Sequence, residues 1–229
     1  MKAHFLKLIL GACLLVLAAC SAKTQKDYLS YVDPYIGTGE HGHVYFGTNV
    51  PFGMIQAGPQ NIHKGWDWCS GYHYSDSIII GFSHTHLSGT GCADLGDILL
   101  MPYVGEIRTR RGEQNDISNS CSSYYKHENE QCSPDYYVLT MDNGVKAELT
   151  SAIRTAMHRY TFPEGEAPRV LLNLQEGNGD NSVDTYMRLA DAHTIEGYRV
   201  SRGWSPEHQV HFTIKSKTPI SKLMTYDGD

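Results

Sequence analysis

Hydrophobic and polar positions alternate most clearly in the second half of the chain. Tyr137, Leu139 and Met141 alternate with Val138, Thr140 and Asp142, and Val145, Ala147 and Leu149 alternate with Lys146, Glu148 and Thr150. A period of two puts one set on a buried face and the other in water, so each run predicts a strand. Asn143-Gly144 between them is a strong hairpin signal. Arg169 to Gln175 reads as a compact apolar strand, bounded by Pro168 and the loop EGNGDNS. Tyr186 to Asp191 and Gly197 to Arg202 read as paired strands, and Val210, Phe212 and Ile214 alternate with His211, Thr213 and Lys215. No window carries a 3.6-residue apolar stripe of helical length. Many short strands separated by turn signals predict an all-β protein, a β-sandwich.

The first half is less regular. Val32 to Gly37 reads as a short extended segment entering a loop, Thr38 to Thr48, rich in glycine and histidine. Asn49 to Gln56 follows as a turn and a strand. Ile220 to Tyr226 reads as the start of another strand. Because an unpaired edge invites association, the expectation is a domain that is incomplete at its C-terminal end.

The first twenty residues have a targeting pattern: Lys2 and Lys7, an apolar run from Leu8 to Leu17, then Leu17-Ala18-Ala19-Cys20. The run is short for a membrane span. The ending resembles a bacterial lipoprotein signal in which Cys20 is lipidated, the alternative being an ordinary secretory signal cut nearby. Ser21 after it resembles signals for the outer membrane, facing the periplasm, with cell-surface display less supported. The expected organisation is therefore a signal peptide over 1–20, a tether over 21–27 and one domain over 28–229. The formal net charge is -6, which argues against a nucleic-acid partner and leaves the lipid as the membrane contact. Export permits disulfides among Cys69, Cys92, Cys121 and Cys132. A Cys121–Cys132 bridge across the polar loop SSYYKHENEQ, whose composition suggests little packing of its own, is one expectation; Cys69 and Cys92 could pair, or one of them could line the pocket as a free thiol, and three connectivities are open.

The stretch from Gly65 to Asp97 holds two tryptophans, three histidines, two cysteines and four aspartates among glycines. That mixture makes a poor core and a good polar pocket: aromatics offer flat apolar faces, Asp and His offer hydrogen bonds to hydroxyls. Trp66 and Trp68 share a face if extended, and one indole offered to a sugar ring fits their neighbours, Asp67 and Cys69. His84 and His86, two apart, share a face on a strand and could reach one metal ion, although a site needs a third ligand; the competing reading has them hydrogen-bonded within the pocket. The loop Gly37 to His43 lacks the Lys-Ser/Thr and βα setting of a phosphate loop, and Ser83 lacks the strand-to-helix setting of a nucleophile elbow.

The two segments DPYIGTGEHGHVYFGTNVPFGMIQAGP and GWDWCSGYHYSDSIIIGFSHTHLSGTGCADLGDILLMP, within Asp33 to Pro102, closely resemble the N-terminal region of glycoside hydrolase family 92, calcium-dependent exo-α-mannosidases. The resemblance implies a supersandwich-like N-terminal domain packed on a C-terminal (α/α)6 domain, with an inverting active site between them acting on N-glycans or other α-mannosides. Inversion needs one carboxylic acid and one carboxylate. In the family these, and most calcium ligands, belong to the helical domain, for which this chain has no sequence, so the chain alone is expected to be inactive. By resemblance, Trp66, Asp67, Trp68 and Cys69 fall in the substrate motif, and the Gly39 to His43 loop, with Gly39 and His41, and the His84 to Thr90 segment, with His84 and His86, line the same cleft. A free-standing carbohydrate-binding lipoprotein is the alternative function.

Overall fold

The structure, a computed structural model, describes residues 26–226; the signal peptide, Cys20 and most of the tether lie outside the described residues. Residues up to Tyr31 form one unit, of which the described part is a short 3-10 turn, Tyr28–Tyr31; Val32 to Asp229 form the other.

Fourteen strands and no α-helix occur among the described residues. They are β1 (Thr48–Asn49), β2 (Gln56–Gln60), β3 (Ile78–Ile79), β4 (Gly81–Ser83), β5 (Leu99–Val104), β6 (Ser123–Tyr124) and β7 (Glu130–Ser133), then β8 (Tyr136–Thr140), β9 (Lys146–Ser151), β10 (Ala156–Thr161), β11 (Pro168–Asn173), β12 (Asn181–Asp191), β13 (Thr194–Arg202) and β14 (His208–Lys215). They build a five-stranded sheet in the order β1-β2-β4-β5-β11, a four-stranded meander β10-β9-β8-β7, a three-stranded sheet β12-β13-β14 and the pair β3-β6. Every pairing of these strands is antiparallel.

The main core lies between the first two sheets, where Phe82 and Met101 meet Tyr137, Leu139 and Leu149. This is the expected sandwich, and the alternating runs account for it directly: Tyr137, Leu139, Ala147 and Leu149 are all buried. The β8–β9 turn carries an added bulge. Gly144 donates to the Met141 carbonyl and Met141 to that of Val145, with Gly144 at φ 82, the left-handed position where glycine has no steric cost. A smaller core of Ile98, Leu174 and Val210 underlies the three-stranded sheet.

Three local expectations are corrected. Val32 to Gly37 is not extended but turned, with Asp33 Oδ1 accepting from the Tyr35 amide at 2.9 Å and the Tyr35 carbonyl accepting from Thr38. The loop between Cys121 and Cys132 is packed, not loose. Its Tyr125 and Glu130 are buried, and Glu130 accepts from the Tyr72 and Tyr137 hydroxyls at 2.8 and 2.7 Å. Cys121 and Cys132 do not bridge; these two thiols, Cys69 and Cys92 are all free. Cys121 Sγ points at the Arg110 carbonyl and Cys132 Sγ at that of Gly47. Burial pushes their thiols up to about 11 and about 12, so both stay protonated.

The three-stranded sheet is pinned by a buried ion cluster. Arg199 on β13 is fully buried; its Nη1 lies 2.7 Å from Asp97 Oδ1 and 2.8 Å from Asp180 Oδ2, and its Nη2 lies 2.8 Å from Asp180 Oδ1. Removing one partner of such a cluster strands charges away from water. Arg199→Met is expected to cost roughly 3–5 kcal/mol, measured by urea unfolding, whereas a loss below about 1 kcal/mol would mean the cluster behaves like a surface pair. For the thiols, alkylation in denaturant without reductant should label peptides carrying Cys121 and Cys132 fully and give no cross-linked peptide; a linked pair would contradict the geometry.

Candidate functional site

Trp66, Asp67 and Trp68 are not extended. They form a 3-10 turn in which the Cys69 amide donates to the Trp66 carbonyl at 3.1 Å and that of Trp68 to the Gly65 carbonyl at 3.0 Å. The tight turn sends the two indoles to different surroundings. Trp66 is 60% exposed and is held by its Nε1, which donates to the Gly91 carbonyl at 2.9 Å. Trp68 is half-buried, stacked on His73 at 4.3 Å and tied by its Nε1 to Asp76 Oδ2 at 2.9 Å. Lys64 completes that mount, 2.7 Å from the same carboxylate and over the Trp68 ring.

The glycine- and histidine-rich loop comes up beside Trp66. Its close turn requires glycine at 42, where a Cβ would sit 2.1 Å from the Gly37 carbonyl oxygen. The turn presents His41 and His43 to the indole, with ring centroids 5.4 and 4.2 Å from it. His41 Nδ1 lies 2.7 Å from Asp67 Oδ1. Buried His43 approaches the same oxygen at 3.5 Å, too far for a hydrogen bond, and its Nε2 has no partner among the described residues. Asp67 holds the His41 imidazolium, raising its pKa above the ordinary histidine value, and the His41 contact lowers that of Asp67. The result is a half-open aromatic platform edged by an ion pair.

The remaining expected residues lie apart from this platform or beneath it. Gly39 opens the turn, its carbonyl accepting from Gly42 at 3.1 Å. Cys69 is buried, and its carbonyl accepts from Asn178 Nδ2 at 2.5 Å. His86 is buried against Tyr45 and Gly71, with both ring nitrogens engaged: Nε2 with Ser83 Oγ at 2.8 Å and Nδ1 with the Gln56 carbonyl at 2.9 Å. His84 lies past the end of β4, its Nδ1 2.7 Å from the Ile98 carbonyl and its ring stacked on His158. Among the described residues, no hydrogen bond or ring contact joins His84 or His86 to Trp66, Asp67 or His41, and no group of three or more His, Cys, Asp or Glu converges as a metal site.

Sequence reasoning missed the residues behind the platform. Asn178 bridges two segments, its side chain on Cys69 and its amide on the Leu95 carbonyl at 2.7 Å. Asp97 accepts from Thr85 Oγ1 at 2.5 Å, besides Arg199 and His208. Asp94 caps the loop after β13, accepting from the Trp204 amide at 2.8 Å. The aspartates at 94 and 97, attractive as ligand contacts, are taken up by structure.

The family model for the glycosyl hydrolase family 92 N-terminal domain matches residues 31–229. The chain belongs to that family. The solved structures agree. A family GH92 alpha-mannosidase of Bacteroides thetaiotaomicron, determined in complex with mannoimidazole, superposes with a TM-score of 0.83 at 38% identity over 86% of this chain and 26% of that one. A family GH92 inverting mannosidase from the same species matches with a TM-score of 0.63 at 23% identity over 87% of this chain and 31% of that one, a likeness of fold. An uncharacterized secreted glycosidase of Arthroderma benhamiae is 28% identical over 176 residues, 71% of this chain and 22% of that protein. This family 92 domain thus spans about a quarter of the length of the relatives it matches.

The two types of histidine environment predict opposite titrations. Burial lowers His86 to about 4, while Asp67 raises His41. In an NMR titration His41 should lose its proton above pH 6.5, and Asp67→Asn should bring it down, whereas His86 should stay neutral through pH 6. Because the folded His86 value is depressed, its contribution to stability is intact above about pH 6.5 and is lost as pH falls toward about 4. His41 has the opposite sign: its contribution is intact below about pH 6.5 and is lost as pH rises through its folded value. A His41 midpoint unmoved by Asp67→Asn would break the assignment.

Proposed function

We propose that this chain is the substrate-cleft half of an inverting exo-α-mannosidase, and that it binds α-mannosides without hydrolysing them unaided. The observation that carries the reading is the exposed Trp66 indole, fixed by Gly91 and flanked by the His41–Asp67 pair. The apolar face of a pyranose stacks on such a ring while its hydroxyls bond to the polar rim. The alpha-mannosidase solved with mannoimidazole supports the substrate class.

Proton transfer needs other groups. Inversion uses a carboxylic acid and a carboxylate about 6.5–9.5 Å apart. Asp67, the carboxylate bonded into the platform, is held ionised by His41 and so is badly placed to donate a proton. Calcium, which the family implies, takes about six to eight oxygen ligands. Asp67, Asp76, Asp94 and Asp97 are engaged by His41, Lys64, backbone amides and Arg199 respectively. The described residues therefore do not fit a calcium site by themselves. In this proposal a helical (α/α)6 partner domain brings the ion and the catalytic carboxylates. Lipidation at Cys20 would hold the domain to the outer membrane on its periplasmic side, a reading supported by the Leu-Ala-Ala-Cys ending.

The test is a titration of the purified chain with mannoimidazole, followed by tryptophan fluorescence, beside an assay for mannose release from an α-mannobioside. Weak binding that drops about tenfold or more in Trp66→Ala is expected, with no mannose released with or without calcium. Release of mannose by the chain alone, or binding indifferent to Trp66, would refute the proposal.

A further inference from the structure

Trp204, in the loop between β13 and β14, is 71% exposed. The indole N–H groups of Trp66 and Trp68 are both taken by protein acceptors, whereas that of Trp204 has none among the described residues. Exposure alone says little, since a folded surface always keeps some apolar side chains. The backbone beneath this one is fixed, however. The Trp204 amide donates to Asp94 Oδ2 at 2.8 Å, the Ser205 amide reaches the same oxygen at 3.4 Å, and the Gly203 amide donates to the Ser205 carbonyl at 3.0 Å. The seat needs glycine at 203, where a Cβ would sit 2.5 Å from Asp94 Oδ1. Asp94 itself is buried. A turn closed on a buried carboxylate thus holds a large flat ring out in water, and the cost of ordering it is met before any ligand arrives.

The mount is shared with Trp66. The carbonyl that accepts from Trp66 Nε1 belongs to Gly91, and Asp94, three residues further on, holds Trp204. Three residues of extended chain span at most about 11 Å, so one short oligosaccharide can reach both anchor points. The strip between them is backed by the loop before β12 that carries Asn178: a Cβ at Gly179 would sit 2.7 Å from the Ala93 methyl. The last described residues, Thr225 and Tyr226, line a separate wide groove together with His84 and His158, and neither Trp66 nor Trp204 contributes to it.

We propose that Trp204 forms an outer subsite of the mannoside cleft, stacking a sugar ring beyond the one on Trp66, so that the ligand is an oligomannoside rather than a single mannose. This rests on the proposal that Trp66 stacks a pyranose. The apolar face of the outer ring covers the Trp204 indole, and the free Nε1–H donates to one of its hydroxyls.

The full chain can be titrated with methyl α-mannoside and with a linear α-mannotriose while the indole N–H signals of its three tryptophans are followed by NMR. The trisaccharide should bind at least about tenfold tighter and should shift the Trp204 signal, which the monosaccharide leaves in place. Trp204→Ala should abolish that advantage without changing monosaccharide binding, and Trp204→Tyr, which keeps a flat ring, should retain most of it. Both variants should melt with the parent by circular dichroism, as expected for an exposed side chain. Trp66→Ala should weaken both ligands. If Trp66→Ala weakens binding but Trp204→Ala leaves the trisaccharide advantage intact, the outer subsite is overturned and the Trp66 reading stands. If neither ligand responds to Trp66→Ala, that reading fails and the subsite falls with it.

Discussion

The arrangement of this domain depends on one buried arginine. Arg199 faces inward from β13 and holds carboxylates from two separate segments, Asp97 before β5 and Asp180 before β12. Such a cluster adds little net stability over well-packed apolar residues, but it is unforgiving of misplacement, because each carboxylate left without its cation is a charge in a dry interior. It therefore fixes where the three-stranded sheet sits. The same segments carry Asn178, which reaches Cys69 directly behind the Trp66 turn. The ion cluster thus ties the β12 approach loop, and through Asn178 the back of the platform, to β13.

The strands were legible where alternation had a single meaning. The β8–β9 hairpin follows its pattern on the apolar face, while Glu148, expected in water, is buried under its bonds to Tyr136 and Arg159. On β13 the same rule points the wrong way. Tyr198 and Val200 are the apolar set and would be taken as inward, yet Arg199 and Ser201 are the buried ones and Tyr198 stacks on Tyr186. A pattern rule ranks side chains by transfer from water and has no means of seeing two aspartates, distant in sequence, waiting on the inner side.

The site was legible in composition more than in geometry. Of the tryptophan pair read as one indole buried and one offered to a sugar ring, Trp68 is half-buried and Trp66 exposed, but the extended backbone assumed for them gave way to a 3-10 turn preceded by Gly65 at φ 113. His84 and His86 looked alike in sequence and do different things. One belongs to the groove wall beside His158; the other is a buried brace for the Gly71 backbone. His43 lies in the Gly39 to His43 loop expected near the cleft, but its approach to Trp66 is created by the close Gly37–Gly42 contact rather than by anything in its own neighbours.

Leaving all four described thiols unlinked has a practical corollary. No covalent crosslink has to be made before the sandwich can close, so neither an oxidase nor an isomerase is required for maturation, and ambient redox poise should not alter the folded yield. The same native packing is accordingly open to the chain in reducing and in oxidising surroundings.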